Sequence, residues 1–264
     1  MLSGILGAAF LQAAGRAGKG EPVGKIILNT QFANPIINVI SCTGEIKVSS
    51  IYNGEPLVET YSNLDNEKLS IQADANTQIV ISGAEITACD IGSNMDYTKI
   101  SVKNTSVTEL YCADCEALTA LDVSNNTALT QLDCNASHLL TALDASNNTA
   151  LTTLYCTDCY SLTALDVSKN TALTELSCDS CYSLTALDVS KNTALTTLNC
   201  SGCKKLISIS YPATNEDVST AVAGAITNAG AADGTVYTDS DGAYYSTIAT
   251  AATAKGWTIA QLPA

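Results

Sequence analysis

Eleven cysteines are the most chemically versatile residues in this 264-residue chain. Four CxxC pairs, Cys112/Cys115, Cys156/Cys159, Cys178/Cys181 and Cys200/Cys203, have the spacing of zinc-binding knuckles. They recur, however, at multiples of 22 residues. Thiols repeated at a fixed period fit a ladder of small, buried, reduced side chains filling a repetitive core. Disulfides along such a ladder are disfavoured, because stacked parallel strands hold side-chain pairs in poor bridging geometry. The odd cysteine count also argues against a complete disulfide framework. The single histidine, His138, excludes any site that needs two imidazoles. No metal, no cofactor and no catalytic residue is expected, and the chain reads as non-enzymatic.

Two other residue types recur in columns. Asp122, Asp144, Asp166 and Asp188 each fall between an inward Leu and an inward Val or Ala, so they should point outward, stacked one strand apart. Like charges that close disfavour full ionisation, and the column is either a weak cation-binding stripe or a solvated acidic edge. Tyr111, Asp133, Tyr155, Ser177 and Asn199 form a second outward column. Glu116, His138, Tyr160, Tyr182 and Lys204 lie beside it. Tyr111, Tyr155, Tyr160 and Tyr182 make a candidate contact face for a glycan or a protein, or an ordinary strand surface where Tyr is favoured anyway.

Positioning these columns requires a repeat. LTALDVSNNTALTQLDCNASHL from Leu118 is followed by near copies from Leu140, Leu162 and Leu184. Within the 22-residue period lies a pseudo-period of 11, marked by Leu118, Leu129, Leu140 and so on to Leu206. Each half fits L-x-x-L-x-(L/C/V)-x-x-(N/C)-x-x-L, a leucine-rich-repeat signature. The expected architecture is mainly β, a parallel solenoid of 22-residue coils. Each coil places two short strands on opposite walls, and coils stack at about 4.8 Å. The Leu columns, Val123, Val167, Val189, Cys134, Cys156, Cys178 and Cys200 should point inward. Asn126, Asn148, Asn170 and Asn192 form a column able to bond the backbone of their own and the next coil. Degenerate copies reach back through Val107–Cys115, Tyr97–Asn104 and Ile86–Ile91.

The flanks differ in composition. In 24–81, GKIILNT, PIINVISC, EIKVS, KLSIQ and TQIVIS read as strands, so 24–85 is expected to be a β-domain capping a solenoid over 86–210. Residues 211–264 read as an α/β cap: helix EDVSTAVAGAITNAG, strand GTVYT, helix AYYSTIATAATAKG and strand WTIAQL. DSDG within it lacks the remaining ligands of a calcium loop. In residues 1–23, Leu2, Ile5, Leu6 and Phe10 have helical spacing ahead of a Gly-rich tether. This segment is either a frayed tail or a docking helix that buries its apolar stripe in a larger assembly. It is too short to span a bilayer, and no basic residue precedes it as in an export signal. Acidic residues outnumber basic ones 26 to 12, a net charge of −14. Such a surface repels phosphate backbones and excludes nucleic acid as a partner.

LDVSKNTALTELSC and its copies resemble the cysteine-ladder leucine-rich repeats of internalin J-like bacterial surface proteins. Similar repeats occur in gut Bacteroides-like bacteria and their phages. The tail TNAGAADGTVYTDSDGAYYSTIATAATAKGWTI also looks like the closing segment of phage-encoded repeat proteins. The resemblance implies a right-handed parallel solenoid that adheres and does no chemistry. It further implies a phage virion protein, a capsid decoration or a head or tail fibre. Residues 1–20 would bind capsid or tail proteins, and the solenoid would meet a host-surface glycan or protein. The alternative it implies is a bacterial cell-surface or secreted adhesin.

Overall fold

The computed structural model describes residues 24–30, 36–62, 67–70, 75–76, 78–92, 97–102, 107–211, 216–230, 233–238 and 245–262. The docking stripe Leu2, Ile5, Leu6 and Phe10, and the DSDG turn, lie outside these residues.

The chain enters through β1 (Gly24–Thr30), β2 (Ile36–Tyr52), β3 (Glu55–Ser62), β4 (Glu67–Ser70) and β5 (Gln78–Asp90). β2 runs antiparallel to β3, β4 and β5. The two strands expected at PIINVISC and EIKVS are therefore one continuous strand, carried past Thr43-Gly44 by register shifts against β5. β3 was not expected from the sequence. It is joined to β2 by Asn53 and Gly54, both in the left-handed region at φ 53° and 77°, as a two-residue hairpin turn requires.

The solenoid follows as pairs of strands. On what we term the cysteine wall lie β7 (Glu109–Tyr111), β9 (Gln131–Asp133), β11 (Thr153–Tyr155), β13 (Glu175–Ser177) and β15 (Thr197–Asn199). On the asparagine wall lie β6 (Tyr97–Val102), β8 (Ala120–Asp122), β10 (Ala142–Asp144), β12 (Ala164–Asp166), β14 (Ala186–Asp188) and β16 (Ser208–Ser210). Within each wall the paired strands are parallel, in a register set by the repeat: Leu154 pairs with Leu132 and Leu176, and Leu165 with Leu143. Each three-residue strand buries its central Leu or Ile between two more exposed neighbours. The Leu column from Leu118 to Leu206 is buried, with Val123, Val167, Val189 and the cysteines beside it. Each such side chain contributes about 1.5–3 kcal/mol on burial, so the repeat's aliphatic columns are the main source of stability.

The two ends are closed differently. At the N-terminal end β1 lies antiparallel between β5 and β6, with Ile26 opposite both Ile81 and Val102. β5 then pairs in parallel with β7, and β6 with β8. One hydrogen-bonded sheet thus wraps from one wall to the other. The boundary expected at 85/86 falls inside β5, whose first half pairs with β1 and whose last residues pair with β7. At the C-terminal end the chain forms α1 (Glu216–Asn228), β17 (Thr235–Thr238), α2 (Tyr245–Lys255) and β18 (Thr258–Gln261), the order expected from the sequence. β17 and β18 extend the asparagine wall in parallel, while α1 packs over β15. The fold is a mainly β, parallel leucine-rich-repeat solenoid. Among the described residues no helix is long and apolar enough to cross a membrane.

Candidate functional site

The inward polar columns are occupied by the backbone. Asn148 Nδ2 donates to Val123 O at 3.0 Å and Asn126 O at 2.7 Å. Asn170 and Asn192 repeat the pattern one coil further at 2.8–3.0 Å. Cysteine does the same work in the other half-coil with one donor. The Sγ atoms of Cys159, Cys181 and Cys203 donate to Cys134 O, Cys156 O and Cys178 O at 3.2–3.3 Å. Ten cysteines, from Cys89 to Cys203, are buried thiols outside any disulfide. Burial pushes the Cys89 thiol up to about 12 and holds Cys112 well above the usual thiol range, while the thiol of the adjacent coil, then burial, raises Cys134 and Cys156. Neutral thiols are poor nucleophiles and poor metal ligands. Among the described residues no group of three or more His, Cys, Asp or Glu side chains is placed to hold a metal ion.

At Asp144 and Asp166 the aspartate column departs from the expectation of suppressed ionisation. Asp122, Asp144, Asp166 and Asp188 do point outward, but each Oδ1 accepts the backbone N–H two residues on, from Ser124, Ser146, Ser168 and Ser190, at 2.9–3.1 Å. This Asx-turn ends each strand. Bonds from the Ser146 side chain and N–H hold the Asp144 carboxyl below its usual range, and those from Ser168 do the same for Asp166. Local donors outweigh like-charge repulsion between carboxylates that face water. On the cysteine wall the balance reverses at half-buried Asp133, which burial raises, with Asp114 and Asp90 adding, despite the N–H of Asn135.

A further column was missed in the sequence. Asp114, Ala136, Asp158, Ser180 and Gly202 all occupy the left-handed region, at φ 54–72°. They turn the chain off the cysteine wall. The Asp and Ser members give a weak sequence signal for this; Ala136 gives none.

The four tyrosines divide between two settings. Tyr111 and Tyr155 lie on the strands of the cysteine wall. Tyr111 Oη donates to Glu109 Oε2 at 3.1 Å. Burial and this bond push its phenol up to about 12, and burial with Glu175 raises Tyr155. Tyr160 and Tyr182 sit on the following turn, stacked in a continuous column. His138 lies on Tyr160 with centroids 4.4 Å apart and planes 2° from parallel, and Tyr160 lies on Tyr182 at 4.8 Å and 6°. Lys204 Nζ caps the stack 4.6 Å from the Tyr182 centroid. The ring spacing matches the inter-strand repeat, so the coils themselves set the stack. Its faces are consumed by one another, and ring edges, hydroxyls and the imidazole remain at the surface.

These ladders define the class: a leucine-rich-repeat solenoid whose half-coils alternate an asparagine and a cysteine ladder. No family model and no curated protein matches the chain. Among solved structures it is similar to the functional domain of InlJ from Listeria monocytogenes, which includes a cysteine ladder, at 24% identity and a TM-score of 0.27. The match covers 64% of this chain and 52% of that one, so the chain spans about half the length of that neighbour.

Proposed function

We propose that the protein is a non-enzymatic display scaffold that binds a protein or glycan through its solenoid. Within that class we assign it to a phage virion, as a capsid decoration or a head or tail fibre docked through residues 1–20. The single observation that carries the scaffold reading is that every repeated reactive column is committed to the fold. Asn148, Asn170 and Asn192 and the thiols of Cys159, Cys181 and Cys203 bond the preceding coil, Asp closes its own turn, and Thr130, Thr152, Thr174 and Thr196 each donate Oγ1 to the preceding Thr carbonyl at 3.0–3.1 Å. What is left to meet a partner is shape and the tyrosines. Tyr111 and Tyr155, steadied by Glu109 and Glu175, are apolar surfaces with ordered hydroxyls, suited to sugar rings or a protein loop. The virion assignment rests on the resemblance of the repeats and tail to phage-encoded proteins. The second reading, a bacterial cell-surface or secreted adhesin, is favoured by LDVSKNTALTELSC itself, which is of the internalin J-like type.

Immunogold labelling with an antibody against the solenoid separates the two. Purified phage particles should carry the label. Label confined to the bacterial envelope would remove the virion assignment and leave the adhesin. If neither surface is labelled, the display reading is lost.

A further inference from the structure

The stacked column on the turn after the cysteine wall has a polarity of its own. In coil order it reads Glu116, His138, Tyr160, Tyr182, Lys204, each 22 residues after the last. Acid stands at one end, base at the other, and three flat rings lie between them, spaced 4.4 and 4.8 Å apart. Glu116 and Lys204 are exposed, and Leu139, beside His138, is 51% exposed. A five-membered column with opposite charges at its ends is complementary to itself when reversed. From these features we infer that the column is a self-association surface, on which two copies of this chain pair antiparallel about a two-fold axis through Tyr160.

The pairing follows from the order of residues alone. A two-fold axis at the middle member sets Glu116 against the second copy's Lys204, and Lys204 against its Glu116. His138 meets Tyr182, and Tyr160 meets Tyr160. Both ends become ion pairs, and both intermediate positions pair an imidazole with a phenol, each able to donate and accept. The neighbouring residues reinforce the sense of the match: Asp114 lies on the acidic end and Lys205 on the basic end. Parallel pairing would set Glu116 on Glu116 and Lys204 on Lys204, which charge repulsion opposes. Equal coil spacing in both copies keeps all five positions in register over about 20 Å. The contact is isologous and closes at two copies.

One position opposes it. Asp158, two residues before Tyr160 on the same turn, faces its own symmetry mate at the axis, which keeps the association weak. A contact one turn wide also falls at the small end of interface sizes. The surface is separate from the strand tyrosines Tyr111 and Tyr155, so pairing would present two cysteine walls in one particle and raise avidity for a repetitive partner. This inference does not depend on where the protein resides.

Sedimentation velocity of the full chain over a concentration series tests it. A monomer–dimer equilibrium is expected. Glu116→Lys alone and Lys204→Glu alone should each weaken it at least about tenfold. The two together restore opposite charges across the axis and should bring the dimer back. That rescue must be intermolecular, because Lys204→Glu permanently removes the cation over Tyr182 within the chain. Asp158→Asn should strengthen the dimer. A monomer at every concentration, in both the native chain and Asp158→Asn, overturns the proposal. So does a dimer that ignores both single reversals, or a doubly reversed chain no more associated than the single variants.

Discussion

Ser137 is the one member of its column that is not a cysteine, and it shows what the thiols contribute. Its Oγ is buried and without a hydrogen-bond partner, whereas Cys159, Cys181 and Cys203 reach the carbonyl 25 residues back at 3.2–3.3 Å. The equivalent acceptor for residue 137 is Cys112 O. A C–S bond is longer than a C–O bond, so sulfur spans the gap that the hydroxyl leaves open. Ser137→Cys should therefore stabilise the chain, by about 0.5–1.5 kcal/mol for the bond gained, read as a higher denaturant midpoint under reducing conditions. The aspartates act in the other half-coil. The carboxyls of Asp144 and Asp166 are held below their unfolded values, so their contribution is present above about pH 4 and is lost as pH falls through the depressed folded value. Both are largely solvated, which keeps each contribution small. Asp144→Asn with Asp166→Asn keeps an acceptor for the turn and removes the titration. Thermal melts should show the native chain losing more stability on acidification than this variant.

At the scale of elements, the caps decide which strands and helices survive. Trp257, the only tryptophan of the chain, is 5% exposed and lies across Gly234, where an added Cβ would stand 2.3 Å from the indole. Gly230 is equally close-fitting: its N–H bonds Lys204 O at 2.7 Å, and a Cβ there would stand 2.4 Å from that oxygen. Gly234→Ala should push the indole out of its seat, and a red shift of tryptophan emission at unchanged solenoid circular dichroism would record it. An unshifted spectrum would mean that the cap yields elsewhere. These contacts also explain what could be read from the sequence. The coils were legible because a strict period converts residue type directly into place: Leu165, Val167 and Asn170 could only point inward. The C-terminal elements were legible from ordinary helix and strand signals. β3 was not, because Glu55-Pro-Leu-Val-Glu belongs to no repeat and its strand exists through pairing with β2. The Asp-x-Ser spacing was visible, but an Asx-turn had to be weighed against charge repulsion, and only the 2.9 Å bond to Ser168 N decides it. The candidate tyrosines fall on two columns, Tyr111 and Tyr155 on the strands and Tyr160 and Tyr182 on the turn, and the ring stacking depends on side-chain rotation that column position does not specify.

For the whole molecule, each coil touches only its neighbours, so stability is a sum of coil and interface terms and unfolding starts where an end is weakest. The two ends are unequal. At the N-terminal end β1 bonds to both β5 and β6, so neither wall can open without breaking a ladder that also holds the other. At the C-terminal end the asparagine wall continues through β17 and β18, but the cysteine wall stops at β15, covered by α1. The ladder bond of Cys200 lengthens to 3.9 Å there, with Ala221 O as acceptor, against 3.4 Å for Cys134 to Tyr155 O. Helix packing has replaced sheet pairing, and α1 can lift without disturbing a strand. The buried thiols supply a reporter in every coil. Pulsed alkylation in moderate denaturant, with each cysteine quantified by mass spectrometry, should label Cys200 and Cys203 first, then Cys178 and Cys181, and should reach Cys112 and Cys115 last. In the absence of denaturant all of these should stay protected, because buried thiols are reached only after local opening. Simultaneous labelling of every coil would show instead that the solenoid opens as one cooperative unit, and an order running from Cys112 would make the antiparallel closure the weaker end. The first outcome would require coil-to-coil interfaces strong enough to exceed the difference between the caps. The second would require β1 to leave both walls together, at the cost of two ladders of hydrogen bonds, before a single helix lifts from β15.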